Sequence, residues 1–382
     1  MIADTVSVAD LSADPHPILH RLRSEAPVSW ISALHAWLVT GHELAIQVML
    51  DAVTFTVDDP RFSTQQVIGP SMLSLDGPEH RRHRDPFGGP FRAVKVRELQ
   101  DYADRTASRL VSDLAVGGSG DLRAEVAGPL AVEVMTKVLD LHDVEVADVL
   151  TWYRQIVDAV HVVTEGGQVP ESGHEAFAAL KTAVTRTSSA SSLLKSVGKT
   201  GTLTIDEIAS NVAVLLFGGI VTSESSSAIA FRFLLDDASL ISALRDDRSL
   251  IRPFVEETFR LEPSAAAVDR YATADVELGG KEISAGDLVR VSLSAANRDP
   301  AVFADPDGFD MDRDFGRSVT FARGPHSCLG IHLARLEAVA AVTALVGEPG
   351  AIARHLDPIT GLVFRAPDKV VVNWPGDGSS LR

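Results

Sequence analysis

The sequence contains a single cysteine, Cys328, among its 382 residues. One cysteine excludes an intrachain disulfide and fits a reducing compartment. Long apolar runs are also scarce, since the longest, Val212–Val221, is too short to cross a bilayer. The first residues lack both a basic segment and an apolar stretch, so they do not resemble a signal peptide. We therefore expect a cytoplasmic protein without a membrane segment.

Basic residues are too few to balance the acidic ones. There are 35 Lys and Arg against 52 Asp and Glu, which gives a net charge of −17. A surface of that sign repels phosphate, so we do not expect nucleic acid as a partner. Six basic residues are nevertheless concentrated between His80 and Arg97, beside one acid, Asp85. They are Arg81, Arg82, Arg84, Arg92, Lys95 and Arg97. The common explanation for such a run is a solvated helix face.

The sequence is rich in apolar residues with helical spacing. Hydrophobic residues make up 45% of the chain, enough for a sizeable core. Strand-like runs are confined to short segments. These are Val28–Thr40, Ala265–Arg270, Val276–Gly280 and Leu288–Leu293, with a closing hairpin predicted from Leu362–Phe364 and Lys369–Trp374. Residues Pro60–Asp76 show no period and are predicted to form a long surface loop, with Ser63–Met72 as a lid.

The stretch around Cys328 places the thiol between a turn and a helix. Gly324 and Pro325 mark the turn, and from Leu329 onward apolar residues recur at helical spacing. Free N–H groups and the positive end of a helix favour the thiolate over the thiol there. A thiolate is a ligand for soft metals and for haem iron. The alternative is a small buried hydrophobic residue, the usual role of a lone cysteine.

A second candidate segment opens a predicted helix at His80. His80 and Arg84 are spaced i and i+4, so they share one helix face. A zinc site through His80 and His83 is the alternative, although no other cluster of His or Cys in the sequence completes it.

The most apolar helix is predicted to begin at Thr204, where Glu207 completes a partial capping box. Because it is apolar nearly all round, we expect it at the centre of the protein. Gly218 and Gly219 inside it each cost about 1 kcal/mol relative to alanine. That cost indicates a local distortion or a large flat group against the helix. A core helix with small residues for packing is the alternative. The Thr222 hydroxyl is spaced to bond back to the carbonyl of Gly218.

The pattern Phe-x-x-Gly-x-His-x-Cys-x-Gly over residues 321–330 resembles the haem-binding loop of the cytochrome P450 family. The matching residues are Phe321, Gly324, His326, Cys328 and Gly330. Ala322 stands where the family usually has glycine. Together with the segment at His80, the glycine pair and the pair Glu257-x-x-Arg260, the resemblance spans residues 28–374. It implies one domain, residues 1–382, with a mainly α fold and a smaller β-rich lobe.

The resemblance implies haem b as the cofactor, with Cys328 as the axial ligand of the iron. Propionate contacts are implied for His80, Arg84, Arg270 and His326, and further cofactor-binding positions for Gly218, Gly219, Phe321 and Gly330. It also implies that Glu257, Arg260 and the later Arg313 form a buried ion-pair network. From spacing alone, Glu257 and Arg260 would be an ordinary exposed pair contributing less than about 1 kcal/mol.

The helix over the haem departs from the family at Val221, where an acid is usual. Valine can neither donate nor accept a proton. The predicted catalytic residues are then Thr222, Ser223 and Glu224, with ordered water or a substrate hydroxyl as further proton sources. An atypical oxidation, such as bond coupling, stays open beside hydroxylation.

The resemblance implies a monooxygenase that activates dioxygen and oxidises a lipophilic or aromatic small molecule in natural-product biosynthesis. The predicted pocket walls are Phe217, Ile220, Val221, Ala266 and Val268. Electrons would come from a ferredoxin or flavodoxin with its reductase, and the basic run at 81–97 is a candidate docking surface. We expect a monomer. A peroxide-driven oxidase and a haem sensor without turnover are the alternatives.

Overall fold

The computed structural model describes residues 2–141, 144–164, 167–187, 192–199 and 201–374. Its helices are α1 (Val8–Ala13), α2 (His16–Glu25), α3 (His42–Leu50), α4 (Ser63–Ile68), α5 (Gly77–Arg84), α6 (Ala93–Arg97), α7 (Gln100–Gly117), α8 (Gly128–Leu139), α9 (Val146–Thr164), α10 (Glu171–Thr187), α11 (Ser192–Lys199), α12 (Ile205–Leu216), α13 (Thr222–Asp236), α14 (Ala238–Asp246), α15 (Ile251–Leu261), α16 (Leu293–Ala296) and α17 (Ile331–Gly347). Its strands are β1 (Val28–Ile31), β2 (Ala36–Val39), β3 (Phe55–Thr56), β4 (Ser119–Asp121), β5 (Ala267–Ala272), β6 (Val276–Leu278), β7 (Lys281–Ile283), β8 (Leu288–Ser292), β9 (Ile352–Leu356), β10 (Ile359–Thr360), β11 (Ala366–Pro367) and β12 (Val370–Asn373).

The chain divides into two compact units. One contains the residues up to Thr56, Ala103–Ala127 and the chain from Thr222 onward, and we call it the cysteine unit because it holds Cys328. Every strand of the described residues lies in it. The other, the helical unit, contains Val57–Tyr102 and Gly128–Val221 and has no strand in its described residues. The predicted architecture, mainly helical with a smaller β-rich part, is confirmed.

The main sheet of the cysteine unit has five strands in the order β1-β2-β8-β5-β3. Strands β1 and β2 form an antiparallel hairpin, β2 runs parallel to β8, and β5 runs antiparallel to β8 with Asp269 opposite Arg290. Buried aliphatic residues from the strands, such as Val39, Val289 and Val291, pack with helix α3 into one core cluster. The sheet thereby fixes the position of strand β5, which carries Arg270.

The predicted closing hairpin is wrong. Strand β12 pairs antiparallel with β9 and with β4, and Phe364 forms only an isolated bridge with Ala265. The sequence offered no signal for this arrangement, because β4 and β12 are separated by most of the chain.

The segment Pro60–Asp76 is not the bare surface loop that its lack of periodicity predicted. It contains helix α4, and Val67, Ile68 and Met72 are buried. The backbone N–H of Met72 donates to the Asn211 side chain at 2.8 Å, and Ser210 Oγ donates to the carbonyl of Ile68 at 2.6 Å. These contacts hold the segment against helix α12 within the helical unit.

The apolar helix runs from Ile205 to Asp236 without interruption, through α12, a π-helical turn and α13. Its predicted capping box is confirmed: the Thr204 N–H donates to the Glu207 carboxylate at 2.7 Å, and the Glu207 N–H donates back to the Thr204 hydroxyl. Among the described residues it is the one helix long and apolar enough to span a membrane, but most of that length is buried inside the protein. A buried core helix has the same composition.

Candidate active site

Cys328 lies in the loop between Phe321 and helix α17, which begins at Ile331. Its backbone N–H donates to the Phe321 carbonyl at 2.9 Å, which closes the loop behind the sulfur. The thiol is exposed, so Cys328 is not the small buried residue of the alternative interpretation. An exposed sulfur just ahead of the N-terminus of a long helix is in a position that favours the thiolate.

The turn before the cysteine depends on glycine at one position and tolerates alanine at another. Gly324 has φ +77°, and a Cβ there would lie 2.4 Å from the carbonyl oxygen of Met49, so only glycine fits. Ala322 also has a left-handed backbone, φ 55°. The family's usual glycine at that position therefore has a physical reason, and this chain carries the strain of alanine instead.

We expect Ala322→Gly to stabilise the protein. Relief of the left-handed strain, roughly 1–2 kcal/mol, is partly offset by the greater freedom of glycine in the unfolded chain and by one lost methyl contact. The net gain is about 0.5–1 kcal/mol and is measured as a rise in the urea midpoint of unfolding. Ala334→Gly, within helix α17, is the matched control and should lose about 1 kcal/mol. Equal losses for both variants would contradict the strain at Ala322.

Phe321 is held from two sides within the cysteine unit. The Arg335 guanidinium lies over its ring at 5.0 Å, and Phe259 meets it edge-on at 5.7 Å. Arg335 is itself fixed by Glu256, which accepts from Nε at 2.6 Å and from the terminal nitrogen at 3.0 Å. The motif around the cysteine does not include Arg335, although this residue lies one helical turn into α17 and is the first Lys or Arg after the cysteine.

Arg270 is buried on strand β5, with 4% of its surface exposed. One guanidinium nitrogen donates to the Asp269 carbonyl oxygen at 2.7 Å. The Asp269 carboxylate is turned to the opposite strand, where Arg290 donates to both its oxygens at 2.7 Å. Burial disfavours the charge on Arg290, but Asp269 outweighs it and raises the pKa of that guanidinium. Arg290 thereby neutralises the neighbouring carboxylate, and a buried cation such as Arg270 suits an anionic group of a cofactor.

Glu257 and Arg260 are both without accessible surface. Arg260 donates to the two oxygens of Glu257, each at 2.7 Å. Its remaining N–H groups reach the carbonyls of Asn297, Pro306 and Gly308, so all five guanidinium donors are used. Arg313 contacts Glu257 at 3.3 Å. This is the arrangement that the resemblance implied for the three residues.

His326 lies in the cysteine loop, two residues before Cys328, and is partly buried, as is Gly330 after it. His80 and Arg84 lie in the helical unit, on helix α5. This helix begins at Gly77 and ends at Arg84, so His80 does not open it as predicted.

The zinc alternative at His80 and His83 finds no support. The amide nitrogen of Asn211 lies 2.9 Å from His83 Nδ1, and Arg82 lies 3.0 Å from the other ring nitrogen. Burial, followed by the charge of Arg82, lowers the pKa of His83. No group of three potential metal ligands occurs among the residues that the structure describes.

The basic run at 81–97 is partly neutralised. Arg82 donates to Glu79 and to Glu207, at 2.7 and 2.6 Å, and its hydrogen bond lowers the pKa of Glu207 to about 2. Lys95 pairs with Glu98 at 2.9 Å. The exposed members of the run are Arg81, Arg92, Lys95 and Arg97. These ion pairs are typical of a solvated helix face. Docking of a partner protein on this run stays a prediction.

The distortion predicted at the glycine pair is confirmed, because residues Phe217–Val221 form a π-helical turn. Such turns are frequent at functional sites. A Cβ at Gly218 would meet no described atom within 4 Å, whereas one at Gly219 would lie 2.6 Å from the Met135 sulfur. The Gly219 side of the turn is therefore packed in the helical unit, whereas the Gly218 side is open enough for a ligand to approach the backbone.

The predicted pocket residues differ in exposure. Phe217 lines a small apolar void in the helical unit with Trp152, Ile156 and Leu180, and Ile220 has no accessible surface. The others are Val221, which is partly exposed, Ala266, which is buried, and Val268, which packs against the sheet core. Ile220 is thus closed to a ligand in this conformation.

Glu224, one of the predicted catalytic residues, lies in an ion pair. It is nearly buried, and its carboxylate accepts from Arg123 Nε at 2.9 Å, while Arg123 also donates to the Pro367 carbonyl at 2.7 Å. The carboxylate is engaged by an arginine, and its catalytic role stays a prediction. Thr222 is partly exposed and Ser223 is buried, at the first turn of α13.

These observations define a mostly helical protein in which an exposed thiol precedes helix α17. Its long core helix contains a π-helical turn at a glycine pair. A sequence profile of the family described as Cytochrome P450 matches residues 178–348. Cytochrome P450 107B1 of Saccharopolyspora erythraea is 32% identical, over 90% of both chains. Nocardicin C N-oxygenase of Nocardia uniformis subsp. tsuyamanensis is 30% identical, over 95% of this chain and 96% of the relative.

The fold agrees. The crystal structure of CalO2 superposes with a TM-score of 0.87 at 28% identity, covering 97% of this chain and all of the other. The chain belongs to the cytochrome P450 family and is a monooxygenase of that family. The resemblance noted from the cysteine loop is confirmed.

Proposed function

We propose that this protein is a haem b-dependent monooxygenase that oxidises a lipophilic or aromatic small molecule in natural-product biosynthesis. The observation that carries the proposal is the exposed sulfur of the only cysteine, held ahead of α17 by the bond from its N–H to Phe321. Nocardicin C N-oxygenase, a relative over nearly the whole chain, supports a role in natural-product biosynthesis.

The residues present fit the cofactor. Cys328 supplies the thiolate for the iron, and the buried Arg270 with His326 supplies cationic or donor groups for propionates. In the helical unit, His80 and Arg84 are the corresponding candidates, and the open face of Gly218 suits a planar macrocycle. When bound, the haem supplies dioxygen activation, which electron density from a thiolate promotes.

The protein's own contribution is to position groups and to move protons. The hydroxyls of Thr222 and Ser223, at the start of α13, are the candidates for holding and passing protons at Oγ1 and Oγ, since Glu224 is bound by Arg123. The ion-pair network at Glu257 holds the segment Asn297–Asp310 against α15. Hydroxylation and bond coupling both stay open as the outcome.

Electrons are proposed to come from a separate ferredoxin or flavodoxin with its reductase. The exposed cations of the run at 81–97 offer charge complementarity to such an acidic protein. We further propose a cytoplasmic monomer. A location outside the membrane is supported by the burial of the single helix, among the described residues, that is long and apolar enough to span one.

The absorption spectrum of the reduced, CO-bound protein tests the cofactor and its ligand together. We expect the red-shifted Soret band of a thiolate-ligated haem. A colourless protein after haem-supplemented expression would overturn the proposal. NADPH-dependent oxidation with a ferredoxin pair then tests the activity, screened with lipophilic compounds that shift the spectrum on binding. Turnover with peroxide alone would replace the electron-partner proposal by the peroxide-driven one.

A further inference from the structure

A cavity of about 570 Å³ lies within the cysteine unit, where the end of α13 meets the start of α14. The 3₁₀ turn Arg248–Leu250 and the segment 309–312 contribute the rest of its lining. Its volume falls in the range of about 300–1,000 Å³ that small-molecule sites occupy. None of its lining residues is among the cofactor, catalytic or pocket residues of the candidate active site. The cavity is therefore a separate feature of this unit.

The wall of the cavity is largely apolar and includes two aromatic rings. The ring centroids of Phe233 and Phe309 lie 5.7 Å apart, and Phe309 also packs against Phe254 at 5.6 Å. The apolar lining residues all keep part of their surface accessible; they are Phe233, Leu240, Leu250, Phe309 and Met311. Such a wall offers contact area to an apolar ligand body, and an aromatic ring attracts an ammonium group placed over its face.

The other lining residues are four exposed aspartates, Asp236, Asp237, Asp310 and Asp312, and no Lys, Arg or His lies among the lining residues. Arg232, next to the cavity, pairs with Asp236 at 2.9 Å. A nitrogen of Arg313 lies 3.9 Å from Asp310. Asp237 and Asp312 have no cationic partner among the residues that the structure describes. The cavity therefore keeps negative charge that the protein itself does not neutralise.

The Asp237 carboxylate is ionised and fixed in direction. One of its oxygens accepts from the Ser239 hydroxyl at 2.7 Å and from the Ser239 N–H at 2.9 Å, and these bonds lower the pKa of Asp237. They also cap the start of α14. Helix α13 ends at the same corner and has no Lys or Arg in its last turn. Because the carbonyls at a helix C-terminus favour a cation, they add to the negative potential there.

The segment 309–312 is held in place before any ligand binds. The N–H of Asp310 donates to the Glu257 carboxylate at 3.0 Å, and Glu257 has no accessible surface. The N–H of Asp312 donates to the Asp310 carboxylate at 2.9 Å. One wall of the cavity is thus tied to the buried ion pair of α15, so a ligand would not have to order it on binding.

We propose that this cavity binds a lipophilic organic cation, with its ammonium group beside Asp237 and Asp312 and its apolar part against Phe233 and Phe309. The uncompensated carboxylates disfavour an anion, and the aromatic and aliphatic wall suits a ligand with an apolar body. A bare metal ion fits less well, since no group of three potential metal ligands occurs in the described part of the chain. The site goes beyond the proposed monooxygenase function and does not depend on it.

Calorimetric titration of the haem-loaded protein with benzyltrimethylammonium tests the site. Its quaternary nitrogen has no lone pair for iron, so saturating imidazole on the haem should leave the binding unchanged. Phenylmethanesulfonate, which carries the opposite charge on the same benzyl group, is the matched control and should not bind. We expect a dissociation constant of about 1 mM or below for the ammonium compound. Raising NaCl from about 20 to about 200 mM should weaken it, because the carboxylates are exposed to screening.

Variants place the binding in this cavity. Asp237→Asn combined with Asp312→Asn removes both charges, and asparagine still caps α14, so binding should weaken about tenfold or more. Leu240→Lys brings a cation of the protein's own into the cavity and should abolish the binding. Asp246→Asn, at the exposed end of α14 and outside the cavity, is the control and should bind as wild type does.

Equal binding of the sulfonate would overturn the proposal, as would a double variant that binds within about twofold of wild type. Absence of binding at about 10 mM ammonium compound would do the same. Ca²⁺ that binds more tightly than the ammonium compound would replace the proposed site by a metal site. None of these results requires turnover, and the CO-bound spectrum of the same sample reports separately on the proposed function.

Discussion

Replacement of Cys328 by serine is expected to abolish the red-shifted CO-bound Soret band and to lower monooxygenase activity by about 100-fold or more, equivalent to about 2.7 kcal/mol of activation free energy. A hydroxyl is a poorer ligand for iron than a thiolate and does not supply the same electron density. Because the sequence has no second cysteine, no other thiolate can take its place. The reduced, CO-bound spectrum and product formation are the measurements.

Ser327→Ala is the matched control, since it changes the neighbouring loop residue, whose N–H donates to the Gly324 carbonyl through the unaltered backbone. It should keep the thiolate band. The far-UV circular dichroism of Cys328→Ser should match wild type, because the exposed thiol contributes little to packing. A Cys328→Ser protein that retained the band would refute the assignment of Cys328 as ligand.

The contacts that were accessible to sequence reasoning are local in the chain. Thr204 and Glu207, three residues apart, form the predicted capping box, and Glu257 pairs with Arg260 at the same spacing. Spacing identifies such pairs because helix geometry places residues three apart on one face. The π-helical turn at 217–221 was indicated by the energetic cost of adjacent glycines.

What the sequence could not predict depends on long-range packing or on strain. Arg123 and Glu224 are 101 residues apart, and no pattern connects them. The left-handed backbone of Ala322 contradicts the ordinary preference of alanine. Glu337 is a lone acid inside an apolar helix, and only the packing of α13 and α15 against α17 shows that it is buried.

The structure also bears on Val221, which stands where the family usually has an acid. The acid nearest to it along α13, Glu224, is bound to Arg123. The hydroxyls of Thr222 and Ser223 are therefore the candidates for carrying protons that remain at the start of this helix.

Glu257→Gln is expected to destabilise the protein by about 3–5 kcal/mol, because it leaves the Arg260 cation buried without its counter-charge. Arg260 has no accessible surface and uses its other donors on the carbonyls of Asn297, Pro306 and Gly308, so it cannot turn to water. Urea unfolding of the haem-loaded protein measures the loss.

The adjacent Glu256→Gln isolates the effect of burial in this prediction. Glu256 also binds an arginine through two nitrogens, but Arg335 keeps 26% of its side chain exposed, whereas Arg260 keeps none. Water can solvate Arg335 after the change, so the loss should be about 1 kcal/mol or less. Equal losses in the two variants would show that the number of hydrogen bonds, and not burial, determines the stability of this region. A larger loss at Glu257 indicates that burial of its arginine, which water cannot solvate after the change, makes this pair more important for stability than the exposed one.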